Sequence, residues 1–244
     1  MHFTDEYARP EVYDAEYGRY DEDLNIFTNI IKEGQVLDLA CGTGRMTIAL
    51  AKKGLLCIGL DLDEKMLKFA KNKSKNLKIS YVRGDMRQFH LNKKFDLITM
   101  AGNSFQALLS KYDQENCFTS VYDHLNMNGL FIFNTRNITE DEMRTINTWE
   151  FWHEFFDLKG KRVKVYGMQE LNKNDSTVSY ITRRVWNSYE SISKVTLRFT
   201  SFQALKNLLI KNNLKIVKVY GDYNKSVFHN DISKDMIIVC KMVV

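Results

Sequence analysis

The chain has 244 residues, 44% hydrophobic and 27% charged, with 35 basic against 30 acidic side chains and a formal net charge of +5. This is the composition of a folded domain large enough to bury a real core; it excludes a disordered chain, and no apolar run approaches the roughly 20 residues a bilayer span needs. Four scattered cysteines (Cys41, Cys57, Cys117, Cys240) with no CxxC pair predict reduced thiols in a cytoplasmic setting, with neither a disulfide frame nor a metal site.

Taken in chain order, the opening "MHFTDEYARPEVYDAEYG" is acidic and aromatic and does not read as a secretory leader. Short β-branched runs at 36–40, 55–60, 77–83, 95–100 and 130–134 then alternate with helical stretches, which predicts βαβ units and a parallel sheet. "GRMTIALAKKG" makes an apolar helix closed by Gly54, and "DEKMLKFAKNKS" a second one with Asp63 as its N-cap. The densest basic run, "KFAKNKSKNLK", falls at that helix end, where cations suit the dipole, so a nucleic-acid partner is the minor expectation. A further helix is expected over 114–125, with "NMNG" as the turn into the fifth strand.

From Trp149 to Arg198 the chain reads as aromatic-rich antiparallel β, an insertion too long for a bare loop and better read as a lid over the strand ends. "TSFQ" (200–203) has the pattern of a capping box opening another helix, and two closing strands follow. The expected organisation is therefore an α/β core with its N-terminal helical segment (1–135), a β lid (136–199), and a closing helix with the last two core strands (200–244).

Three strand ends carry matching chemistry. "VLDLACGTGR" runs from a strand into a loop with Gly42 and Gly44, but Thr47 stands where a dinucleotide fingerprint asks for a third glycine. "GLDLD" places Asp61 to accept both hydroxyls of a ribose, and "RGDMRQF" places Asp85 to accept from an adenine amine while the Met86 amide serves a ring nitrogen. Each feature has a plainer alternative: a GxG loop is widespread, Asp61 would serve as a helix N-cap, and Asp85 as a turn former. Together, at the carboxyl ends of successive strands, they fit a nucleoside lying across the switch point of an open sheet. Exposed acids are poor neighbours for phosphates, so the pattern favours adenine, ribose and a positive centre: S-adenosylmethionine.

With these motifs the chain resembles the class I S-adenosylmethionine-dependent methyltransferases, and "FDLITMAGNSF" looks like their fourth strand beside the reactive centre. The resemblance implies a seven-stranded, mostly parallel Rossmann-like sheet of order 3-2-1-4-5-7-6, helices on both faces, and an antiparallel β lid after strand 5. "VYDAEYGRY" and the lid are similar to the small-molecule branch, which includes sugar-amine and glycine-type N-methyltransferases. "NMNG" departs from the Pro-Gly-Gly turn of many relatives, at the end of the sheet away from the site. By resemblance Leu62 packs on adenine, the Ala40 carbonyl takes the methionine ammonium, and Met100 at the end of the fourth strand is a cofactor contact. Tyr13, Tyr17, Arg19 and Tyr20 either fold over the cofactor and hold its carboxylate or pack as a surface helix.

In-line methyl transfer from a sulfonium asks mainly for alignment and exclusion of water, and for a base only when the acceptor arrives protonated. Candidate catalytic residues are His153, Asn103, His229 and Tyr17; candidate acceptor contacts are Trp149, Trp152, His153 and Tyr223, with Ser104, Glu150, Glu154 and Phe228 nearby. His124 reads as structural. Packing of the lid's own core is the alternative for "TWEFWHEFF". The expected function is S-adenosylmethionine-dependent methylation of a small-molecule acceptor on N or O, with S-adenosylhomocysteine as product, by a monomer or homodimer. An RNA or protein methyltransferase, a non-catalytic cofactor-binding module and a dehydrogenase are the competing readings.

Overall fold

The computed structural model describes residues 4–139 and 142–243. The chain opens with a short strand β1 (Thr4–Asp5) and helices α1 (Pro10–Tyr17) and α2 (Leu24–Thr28). There follow β2 (Gln35–Leu39), α3 (Arg45–Lys52), β3 (Leu56–Asp61), α4 (Glu64–Lys73), β4 (Ile79–Arg83), β5 (Phe95–Met100), a 3-10 turn at Ser104–Ala107, α5 (Lys111–His124) and β6 (Leu125–Arg136). Four long strands come next, β7 (Ile146–Phe156), β8 (Arg162–Asn172), β9 (Thr177–Val185) and β10 (Glu190–Arg198). The chain closes with α6 (Phe202–Lys211), β11 (Leu214–Tyr220) and β12 (Asp235–Met242).

The central sheet has seven strands in the order β11-β12-β6-β5-β2-β3-β4, and β12 alone runs against its neighbours. Helices cover both faces, which is why its inner strands read as continuous apolar runs. Phe118 of α5 and Leu205 and Leu209 of α6 pack with Phe131 and Phe133 on one face. Ile26 and Phe27 of α2 and Met46 and Leu50 of α3 pack with Leu97 and Ile132 on the other. Asp38 is the exception inside β2: fully buried, it accepts from the hydroxyls of Thr47 (2.5 Å) and Thr99 (2.8 Å). Thr47 thus does a job in α3 that a third glycine cannot do. Burial pushes the Asp38 carboxyl up to about 6, against the opposing pull of those two hydroxyls.

A second sheet, β1-β10-β9-β8-β7, stands over the strand ends. Its four long strands form an antiparallel meander, and β1 joins the outer side of β10 in parallel, so this sheet also takes residues from the start of the chain. No described helix is long and apolar enough to cross a membrane. All four cysteines are buried free thiols.

Local expectations differ from the structure in two places. "NMNG" is not a separate turn: α5 passes directly into β6, whose pairing with β5 shifts register between Phe95 and Leu97 to absorb the extra residues. "TSFQ" does not form the capping box: Ser201, not Thr200, caps α6 by accepting from the Ala204 amide at 3.3 Å, and the Thr200 hydroxyl accepts from Gln114 instead. The capping box lies at α5, where Ser110 and Asp113 satisfy each other's backbone amides. Asp63 does cap α4, accepting from the Lys65 amide.

Candidate functional site

A cavity of about 1570 Å³ lies between the carboxyl ends of the parallel strands, the N-terminal segment and the inner face of the lid. Ligand pockets commonly enclose about 300–1,000 Å³, so this one has room for two partners.

On the core side, the loop after β2 contributes Ala40, whose backbone is left-handed (φ 52). The loop is then pinned: the Gly42 amide donates to Asp61 Oδ2 at 2.7 Å, and the Asp63 amide to Asp61 Oδ1 at 2.9 Å. Asp61 lines the cavity with lone pairs to spare, since an ionised carboxylate has about four acceptor positions. Burial raises its pKa, opposed by the backbone amides of Asp63 and Gly42. Leu62, 58% exposed, lines the cavity beside it. At the end of β4, Asp85 and Met86 also line the cavity. Arg87 holds both Asp85 oxygens through Nε (3.0 Å to each) and Nη2 (2.6 Å), and this keeps the Asp85 carboxyl below its ordinary value.

The end of the cavity beside β5 and β6 has a polar knot. Buried Asn134 of β6 donates to Asn103 Oδ1 at 2.7 Å and to the Tyr223 hydroxyl at 2.9 Å, and accepts from the Asn103 amide at 3.2 Å. Asn103, Ser104 and Tyr223 all line the cavity, and the Tyr20 ring meets Tyr223 edge-on. The N-terminal wall consists of Asp5, Glu6, Tyr7, Tyr13, Tyr17 and Tyr20. Burial pushes the Tyr13 hydroxyl up to about 12 and the Tyr17 hydroxyl well above its ordinary value, so both stay protonated near neutrality. The lid adds Ile146, Glu150, Trp152, Gln169, Tyr180 and Thr182.

Of the residues singled out from sequence, Tyr13, Tyr17, Tyr20, Ala40, Asp61, Leu62, Asp85, Met86, Asn103, Ser104, Glu150, Trp152 and Tyr223 are brought together here. Others are not. Met100 is fully buried in the core beside Phe133, because its side of β5 faces α5 and not the cavity. Gly42 and Gly44 do not line the cavity. Gly42 serves by its amide on Asp61. Gly44 caps α3 at φ 81, where a Cβ would meet Tyr81 Oη at 2.8 Å and Ala70 Cβ at 3.0 Å, so its smallness serves helix–sheet packing.

Strand alternation and a register shift between Phe151 and His153 turn Trp152 inward and leave His153 against Glu16, 2.9 Å away, off the cavity wall. Trp149 packs under Arg183 and Glu154 pairs with Arg162, so neither reaches the cavity. Phe228 packs on Phe202, His229 borders a separate small depression, and Arg19 is an exposed surface residue. His124 is structural: its ring bonds the Ser120 carbonyl (2.7 Å) and accepts from the Leu91 amide (2.9 Å).

Several lining residues escaped the sequence reading. Arg45 stands inside the quoted glycine motif and forks onto buried Asp23, at 2.5 and 2.6 Å, while also bonding the Tyr20 carbonyl. Arg136 lies between the rings of Tyr180 and Phe199 and bonds Gln106, Glu142 and the Tyr180 hydroxyl. Arg45 follows directly from the motif; Arg136 meets partners far away in the chain and has no local signal.

The fold is similar to that of solved S-adenosylmethionine-dependent methyltransferases. Residues 36–129, which hold all three strand-end motifs, match a family model described as a methyltransferase domain. The protein YqeM of Bacillus subtilis (strain 168) is 36% identical over 114 residues, covering 46% of this chain and 46% of that one. The chain spans about half the length of the curated relatives it matches. Two solved structures share the fold almost end to end. An S-adenosylmethionine-dependent methyltransferase from Clostridium acetobutylicum ATCC 824 superposes with a TM-score of 0.80 at 22% identity, covering 96% of this chain and 97% of that one. CalS10, an amino pentose methyltransferase from Micromonospora echinaspora, gives 0.76 at 18% identity, covering 99% and 100%.

Proposed function

We propose that the protein transfers the methyl group of S-adenosylmethionine to a nitrogen or oxygen of a small-molecule acceptor held beneath the lid. The observation that carries this reading is the placement of Asp61, Leu62, Asp85 and Met86 on one wall of a cavity whose other wall is the aromatic, partly charged lid. The donor set fits the cofactor. Asp61 retains acceptor capacity for ribose hydroxyls, Leu62 offers an exposed apolar face for a base, and the carboxylates at the strand ends disfavour a pyrophosphate.

When bound, S-adenosylmethionine supplies an electrophilic methyl on a good leaving group. The protein's part is then to bind, align and keep water out, and alignment of this kind is worth up to about 7–11 kcal/mol in favourable models. Asp61 and Asp85 hold the nucleoside, and the tyrosines of the N-terminal segment close over the methionine end. The Asn103–Asn134–Tyr223 knot marks the reactive end. Burial raises the pKa of the Tyr223 hydroxyl, so it stays protonated near neutrality and does not act as a base. Trp152 and Tyr180 make the acceptor's aromatic wall. CalS10 acts on an amino pentose by its description, and that supports an amine acceptor here.

Incubating the protein with S-adenosylmethionine and a panel of amines, amino sugars, amino acids and phenols tests the reading by release of S-adenosylhomocysteine. Acceptor-dependent release from at least one amine is expected. Binding of S-adenosylhomocysteine with no turnover across the panel would reduce the protein to a cofactor-binding module.

A further inference from the structure

A cluster of charged side chains lies where the lid meets the N-terminal segment, and the chemistry described so far does not use it. The Arg184 guanidinium on β9, only 5% exposed, donates to both oxygens of Glu6, to Glu16 Oε2 at 2.5 Å and to the Ser193 hydroxyl at 2.9 Å. Ser193 donates in turn to Glu6 Oε2 at 2.5 Å, and His153 Nε2 approaches Glu16 Oε1 at 2.9 Å. The side chain of Glu16 is fully buried. Its burial alone would raise its pKa, but the hydrogen bond from His153 and the charge of Arg184 outweigh this and hold it low. Burying two carboxylates and a guanidinium costs desolvation that an apolar lid core would avoid, so the cluster calls for another reason.

The cluster joins two parts of the chain. Glu6 and Glu16 belong to the N-terminal segment; Arg184, Ser193 and His153 belong to the lid. The same junction is reinforced by Val12 and Ala15 of α1, which pack with Phe155, Val163, Val165 and Trp186 of the lid, and by the pairing of β1 with β10. Helix α1 is thus bound to the lid by an ionic knot, an apolar seam and a strand. The tyrosines of this segment form a contiguous wall of the cavity: Tyr7 meets Tyr13 at 5.7 Å and Tyr13 meets Tyr17 at 5.0 Å between ring centres. The Tyr13 ring also reaches the Gly42 loop, 4.0 Å from where a Cβ on Gly42 would stand. Arg184 itself does not line the cavity.

We infer that Arg184 is a positioning residue for the cofactor: by fixing Glu6 and Glu16 against the lid, it holds the tyrosine wall over the glycine loop. A lid side chain that touches no ligand thereby sets affinity for S-adenosyl compounds. The inference rests on the S-adenosylmethionine reading above, and it runs against the simpler expectation that the lid governs the acceptor alone.

S-adenosylhomocysteine is the probe, with its Kd read by calorimetry and its dissociation rate by chase with excess unlabelled ligand. Arg184→Met should weaken binding by roughly tenfold or more and speed dissociation, on the scale of a lost charged hydrogen bond. Arg184→Lys, which keeps the charge but loses the planar fork, should give an intermediate effect. Glu16→Gln, at a residue that does not line the cavity, should shift Kd in the same direction and leaves Arg184 paired with Glu6, so it carries the test if Arg184→Met does not fold. Arg183→Met, on the neighbouring outward position where Arg183 pairs with Glu190, should bind like wild type. A role in stability alone predicts lower melting temperatures with unchanged Kd and dissociation rate in the folded variants; that result would overturn the inference while leaving the cofactor reading intact. A wild-type protein that bound no S-adenosylhomocysteine would overturn both.

Discussion

Asp61 is the residue on which cofactor recognition and loop geometry meet, and its replacement separates the two. Its carboxylate takes the Gly42 amide at 2.7 Å on one oxygen and the Asp63 amide at 2.9 Å on the other, with further lone pairs facing the cavity. A hydrogen bond to a charged group is worth about 1.5–3 kcal/mol net. Asp61→Ala removes the ribose contact and unpins the glycine loop, so affinity for S-adenosylmethionine and S-adenosylhomocysteine should fall together by roughly ten- to a hundredfold. The two ligands share the ribose, so their ratio should not change. Stability should also fall, by about 1–3 kcal/mol, because the burial that raises the Asp61 pKa offsets part of the two lost backbone bonds. Asp61→Asn keeps one acceptor oxygen but turns an amide NH₂ toward a backbone N–H, so it should fall between wild type and Ala. Calorimetry with both ligands, beside urea unfolding of each variant, reads these effects separately. Folded Asp61→Ala protein that bound either ligand like wild type would refute the ribose assignment.

Other outcomes follow from the same geometry. Asp38 titrates near 6 in the fold against an ordinary 3.8, so its contribution to stability is full below about 3.8 and is lost as pH rises through about 6. Asp38→Asn should therefore gain about 2 kcal/mol relative to wild type between pH 4 and pH 7.5; parallel stability-versus-pH curves from urea melts would contradict this. The hypoxanthine counterpart of S-adenosylhomocysteine, lacking the exocyclic amine, should bind more weakly than the adenine form. Asp85→Ala should narrow that gap and Arg87→Ala, by freeing the carboxylate, should widen it; equal wild-type affinities would leave Asp85 as a turn residue. Gly44→Ala forces a side chain into φ 81 and against Tyr81 and should cost about 1–3 kcal/mol in urea unfolding, so an unchanged midpoint would be the contrary result. Trp152→Ala should raise the KM of the best acceptor found in the amine panel with S-adenosylhomocysteine affinity little moved; unaltered acceptor kinetics would remove Trp152 from the acceptor wall.

The parts of this molecule that were legible in the sequence are those set by local pattern. The alternating apolar runs announced β2 to β6, Asp63 announced the start of α4, and the acids at 61 and 85 announced which ends of those strands share a cavity. What stayed hidden depends on partners distant in the chain. The pairing of Thr4 with Ser193 and the contacts of Arg184 with Glu6 and Glu16 span the whole lid in sequence, and nothing local to "FTDEY" announces them. His153 was read as facing the acceptor because a regular strand does not reveal where its register shifts; the irregularity beside Phe151 decides that Trp152, and not His153, lines the cavity. The core placement of Met100 was hidden for a related reason, since a strand covered on both faces gives no sign of which face a given side chain takes.

Titration of the wild-type protein with S-adenosylhomocysteine is the most direct test of the central claim that the cavity across the ends of β2, β3 and β4 is an S-adenosyl site. Calorimetry should show saturable one-to-one binding that S-adenosylmethionine competes away and NADH does not. Absence of binding, or binding of NADH in its place, would contradict the account.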